Sequence, residues 1–60
     1  MTAEERDEKI LNFVKMNVDL TVPMSLEEFQ KLMALAKADS EMNRWQILVV
    51  QTYTKLKSAK

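Results

Sequence analysis

Residues 16–29 read MNVDLTVPMSLEEF, and Pro23 divides this stretch into two different patterns. Before Pro23, non-polar and polar residues alternate along the chain, which is typical of a β-strand with one buried face. Proline has no N–H to donate and ends such a strand. The sequence therefore predicts a strand over residues 14–22, with one non-polar and one polar side: Val14, Met16, Val18, Leu20 and Val22 against Lys15, Asn17, Asp19 and Thr21.

Three helices are predicted around this strand. Two pairs of residues, Thr2 with Glu5 and Ser25 with Glu28, have the spacing of a capping box and indicate helix starts. A third helix is expected near the end of the chain, because non-polar residues there recur at helical spacing from Trp45 onward. The predicted helices span residues 3–13, 25–38 and 40–57.

The composition restricts the chemistry of the chain. Its 60 residues include no cysteine and no histidine, which excludes disulfides and thiolate metal sites and removes the commonest metal ligand and general base. No non-polar run approaches the ~20 residues of a membrane span. We therefore expect one cytoplasmic domain over residues 1–60, with no cofactor, metal, membrane contact or enzymatic activity.

Two features favour a homodimer. A single strand cannot satisfy its own backbone groups, and the last helix is non-polar on more than one side, because Ile47 and Val50 widen its stripe. The predicted fold is mainly α with one short β-strand that pairs between two chains. Two alternatives stay open: a βαβ arrangement with residues 47–54 as a second strand, and a three-helix bundle.

Charge is distributed unevenly, although the formal net charge is zero. Residues 1–30 carry seven acidic and three basic residues, whereas residues 31–60 carry two acidic and six basic residues. Lys55, Lys57 and Lys60 are expected to form a solvated tail. The acidic N-terminal helix is a candidate contact for a partner protein.

The order strand, proline, helix, helix resembles the ribbon-helix-helix family of DNA-binding proteins. The segments that carry this resemblance are VDLTVP at 18–23, EEFQKLMALAK at 27–37 and NRWQILVVQTY at 43–53. The resemblance implies a homodimer in which two strands pair antiparallel, with an extra N-terminal helix in this chain. The residues placed in its dimer core are Val18, Leu20, Val22, Trp45, Leu48, Val49 and Tyr53.

The resemblance also implies a function. Proteins of this family read base edges in the major groove with the outward side chains of the ribbon, here Lys15, Asn17, Asp19 and Thr21. They hold a phosphate at the start of the second helix of the motif, which corresponds to Ser40, Asn43 and Arg44. The expected function is a small transcriptional repressor or the DNA-binding part of an antitoxin-like switch, of phage or bacterial type.

A second function fits the same sequence. The net charge of zero gives no overall attraction to nucleic acid and favours a small protein–protein interaction module or inhibitor that does not bind DNA.

Overall fold

A computed structural model of the chain describes residues 2–58, so the predicted single domain extends at both ends beyond the described residues. These residues form three α-helices and one short 3₁₀ helix, and they contain no strand. The three-helix bundle, which the sequence left as an alternative, therefore agrees with the structure. The bounds are α1 Ala3–Asn17, α2 Leu26–Ala38, the 3₁₀ helix Met42–Trp45 and α3 Gln46–Ser58.

The predicted strand over residues 14–22 is wrong. Residues 14–17 continue α1, and residues 18–25 form an irregular loop. The last turn of α1 is closed by Val18 N–H, which donates to the carbonyl of Val14 at 3.1 Å. A helix satisfies its own backbone groups, so this segment needs no second chain. The ribbon-helix-helix arrangement with an intermolecular β-ribbon is thus not the fold of the described residues.

The alternating pattern gave a wrong prediction because the same residues also fit the period of a helix. Ile10, Val14 and Val18 are spaced four apart and lie on one face of a helix. Ile10 and Val14 are buried in the core, whereas Met16, which the strand would place beside Val14, is 84% exposed. The helical period, and not the period of two, determines which side chains are buried.

Side-chain caps fix the starts of α1 and α2. Thr2 Oγ1 accepts from the N–H of Glu5 at 3.2 Å, and Ser25 Oγ accepts from the N–H of Glu28 at 3.1 Å. Both bonds have the geometry that the capping-box spacing predicts. The Glu28 carboxylate does not return to Ser25; it turns instead toward the loop before α2 and toward α3.

The core lies where α3 packs against both α1 and α2. Two helices of the same chain cover part of α3, but Ile47, one of the two residues behind the second argument for a dimer, stays 74% exposed. The sequence contains no glycine, and no described residue has a positive φ. Seven side chains are buried in the core: Ile10, Val14, Leu32, Ala36, Met42, Val49 and Tyr53.

Candidate functional site

The loop between α1 and α2, residues 18–25, is held in place by Lys57 of α3; we call it the anchored loop. The Lys57 Nζ donates to the carbonyl oxygen of Asp19 at 2.5 Å and to that of Val22 at 2.8 Å. It also forms an ion pair with Glu28 Oε1 at 2.8 Å. All three donors of the ammonium group are therefore used.

Burial distinguishes Lys57 from an ordinary surface lysine. Only 2% of its side chain is exposed, against 18% for Glu28, and its Nζ lies 5.8 Å from the centre of the Tyr53 ring. The prediction that Lys57 belongs to a solvated tail is wrong. A signal was present in the sequence, because Val49, Tyr53 and Lys57 follow one another at intervals of four on the buried face of α3.

Glu28 connects three parts of the molecule. Its Oε1 also accepts from the Tyr53 hydroxyl at 2.9 Å, and its Oε2 accepts from the N–H of Asp19 at 3.2 Å. The hydrogen bond from Lys57 holds the pKa of Glu28 below its usual range. Burial, together with the bond to Glu28, raises the pKa of Tyr53. At neutral pH the carboxylate is charged and the phenol is not.

Within the anchored loop, Asp19 forms a local turn. Its Oδ1 accepts from the Thr21 hydroxyl at 2.5 Å and from the Thr21 N–H at 2.9 Å. These two bonds lower the pKa of Asp19, so its charge is retained at neutral pH. The loop therefore has a fixed shape and a fixed negative charge.

Exposed non-polar side chains are concentrated on and beside the anchored loop. Among residues 2–58, seven large non-polar residues are exposed; five of them fall within the eleven residues 16–26, and the other two are Leu35 and Ile47. Because the loop joins the end of α1 to the start of α2, the five lie at one end of the bundle. We call them the exposed end surface: Met16, Leu20, Val22, Met24 and Leu26.

A depression of about 350 Å³ lies at this same end of the bundle. It is bordered by the last turn of α1, the anchored loop and the first turns of α2. Its lining includes three carboxylates and one ammonium group, so its charge is negative. The lining residues are Asn17, Asp19, Ser25, Glu27, Glu28 and Lys31.

The residues predicted to read DNA bases are not arranged on a ribbon. Lys15 and Asn17 lie in the last turn of α1, where Asn17 Nδ2 donates to the carbonyl of Phe13 at 2.8 Å. Asp19 and Thr21 lie in the anchored loop and bond to each other. Asn17 Nδ2, Asp19 Oδ1 and the Thr21 hydroxyl are thus engaged within the chain.

The predicted phosphate contacts lie where α2 leads into the 3₁₀ helix. There Asp39 Oδ1 accepts from the N–H groups of Glu41 at 2.8 Å and Met42 at 2.9 Å, and these bonds lower the pKa of Asp39. The chain's own carboxylate therefore occupies the position that a phosphate would take. Asn43 Nδ2 donates to the carbonyl of Lys37 at 2.8 Å, and Ser40 and Arg44 are exposed.

The residues predicted for a dimer core separate into three groups. Val49 and Tyr53 are buried within one chain, Leu20 and Val22 are exposed, and the others are half-buried. The half-buried residues are Val18, Trp45 and Leu48.

Two further observations concern metal binding and membrane insertion. Across residues 2–58 no three carboxylates are grouped closely enough to hold a metal ion. Among the same residues, no helix has the length and non-polar character needed to cross a membrane.

Comparison with known proteins gives no relative: no family model, curated protein or solved structure matches the chain.

Proposed function

We propose that this protein is a protein-interaction module that binds a partner through its exposed end surface. The observation that carries the proposal is the concentration of five exposed non-polar side chains within residues 16–26. Single exposed non-polar residues are ordinary on a soluble domain, but a group at one location is typical of an interaction site.

The anchoring of the loop supports the same function. A binding loop that is already ordered loses less conformational entropy when its partner binds. Lys57 and Glu28 hold this loop through two backbone carbonyls and one N–H.

DNA binding stays a prediction from the sequence. Three of the four residues named for base contact form side-chain hydrogen bonds within the chain: Asn17, Asp19 and Thr21. Asp39 accepts from two N–H groups at the helix start that was assigned to phosphate. One of the two arguments for a homodimer was an unpaired strand, and residues 2–58 contain none. The geometry therefore favours a protein partner.

A pair of matched double variants tests the proposal. Leu20→Ser/Leu26→Ser removes side chains that are 44% and 70% exposed at the exposed end surface. Leu35→Ser/Ile47→Ser removes side chains of similar exposure, 46% and 74%, elsewhere on the bundle. Neither pair is part of the core, so both variants should fold, which circular dichroism would verify.

The measurement is recovery of a cross-linked partner from cells that express the tagged protein. We expect the Leu35→Ser/Ile47→Ser variant to retain the partner and the Leu20→Ser/Leu26→Ser variant to lose it. Equal retention by both variants would contradict the proposal. So would binding of a DNA duplex with a steep dependence on salt that both variants preserve.

A further inference from the structure

Resting on the proposed function, we propose that the partner contributes a basic amphipathic segment, whose non-polar residues cover the exposed end surface and whose lysine or arginine residues meet the carboxylates beside it. The surface combines two chemistries. Met16, Leu20 and Leu26 are exposed and non-polar, while Asp19 and Glu27 border the adjoining depression.

Within the described part of the chain the depression keeps a small excess of negative charge: Asp19, Glu27 and Glu28 lie near Lys31 of the lining and Lys57, whose charge also acts on Asp19. Between residues 2 and 58, Glu28 has Lys57 as an ion-pair partner, but no basic side chain lies within ion-pair distance of Asp19 or Glu27. Lys31 is the one basic residue in the lining. A partner that brings cations to this place gains complementarity, and the long stems of lysine and arginine cover non-polar surface at the same time.

The same charges argue against a second copy of the chain as the occupant. A two-fold contact places the same patch of both copies face to face. Both copies would then bring the same excess of carboxylates into a surface from which water is being removed. Like charges placed in this way disfavour the complex.

Synthetic peptides test the inference directly. The full-length, ¹⁵N-labelled protein is titrated with a peptide of leucine and lysine whose leucines form one helical stripe. The same titration uses a matched peptide in which every lysine is replaced by glutamate. We expect the lysine peptide to shift amide resonances of residues 16–31 and to bind at least about tenfold more tightly than the glutamate peptide.

Variants locate the two contributions. Leu20→Ser/Leu26→Ser should abolish the shifts, and Leu35→Ser/Ile47→Ser should leave them unchanged. Glu27→Gln should weaken binding of the lysine peptide about two- to fivefold, the effect of one exposed charge. Glu8→Gln is its control, because Glu8 is an exposed carboxylate on the first half of α1.

Four results would overturn the inference. Equal affinity for both peptides would remove the role of charge while leaving the proposed function standing. Shifts confined to the first turns of α1 would mean that the lysine peptide finds the acidic helix start instead. Binding of neither peptide, or self-association through the exposed end surface, would exclude a basic segment as the occupant. The proposed function itself is tested separately, by whether the double variants retain the partner.

Discussion

Lys57 illustrates how one side chain can organise a surface that is distant in sequence. Its stem follows Tyr53 along the buried face of α3, and its ammonium group reaches backbone oxygens 38 and 35 residues earlier. Lysine suits this role because it has a long non-polar stem and three donors. The residue type could be read from the sequence, but its acceptors are main-chain oxygens, which no sequence pattern identifies.

Replacing Lys57 should loosen the anchored loop. Lys57→Met keeps the non-polar stem but leaves Glu28 and two carbonyls without their donor, so we expect the thermal midpoint to fall by roughly 5–10 °C. Lys55→Met is the matched control, because Lys55 is exposed and should change the midpoint little. Hydrogen exchange at the Asp19 and Thr21 amides should accelerate in Lys57→Met alone; equal behaviour of both variants would contradict the anchoring role.

Stability should decline at both ends of the pH scale. Folding lowers the pKa values of three carboxyl groups, those of Asp19, Glu28 and Asp39. Their contribution to the free energy of unfolding is therefore complete above their ordinary pKa values, 3.8 for Asp and 4.5 for Glu. It is lost as the pH falls through the lower pKa values of the folded protein. The pKa of Tyr53 is raised, so its contribution is present below 10.0 and is lost as the pH rises through the folded value.

Urea unfolding across the pH range measures this dependence. We expect a plateau in the free energy of unfolding between about pH 5 and pH 9. Glu28→Gln should reduce the loss on the acidic side. If the free energy of unfolding falls equally at acidic pH in Glu28→Gln and in the unmodified protein, Glu28 does not contribute to that fall.

At the scale of elements, the starts of α1 and α2 could be predicted, and the end of α1 could not. The caps at Thr2 and Ser25 are local contacts between residues three apart, so the sequence contains all the information. The end of α1 depends on which faces are covered by α3. Val14 fits both a period of two and a period of four, and packing against another helix, rather than local pattern, selects the helix.

Two alanine substitutions separate the helix from the strand. In a strand, Val14 and Met16 would share the buried face, and both changes would be costly. In α1 Val14 is buried and Met16 is exposed. We therefore expect Val14→Ala to lower the free energy of unfolding by about 2 kcal/mol or more, and Met16→Ala to lower it by less than about 0.5 kcal/mol. Chemical denaturation measures both; similar large losses would favour the strand.

At the scale of the whole molecule, α3 is the central helix and packs against both α1 and α2. One argument for a homodimer came from a strand that the described residues do not contain. The other came from the width of the non-polar stripe on the last helix, where Ile47 is 74% exposed. The candidate site escaped prediction for a related reason: two of its non-polar residues, Leu20 and Val22, were assigned to a dimer core built on a strand that the described residues do not contain.

The chain should therefore be monomeric. We expect light scattering to give a mass near 7.0 kDa throughout a dilution series. Residues 2–58 contain no strand that needs a partner, and carboxylates of like charge lie beside the exposed end surface. A mass near twice that value which persists on dilution would contradict this expectation and would return the homodimer to consideration.

The lack of glycine has a consequence for the unfolded chain. Since every described residue has a negative φ, each turn is built from residues that carry a Cβ atom. Such residues sample fewer backbone conformations before folding than glycine does, so less entropy is lost when they become ordered. A domain of 60 residues has a small core to offset this loss of entropy. The lack of glycine makes the loss smaller, because the unfolded chain has fewer backbone conformations to lose.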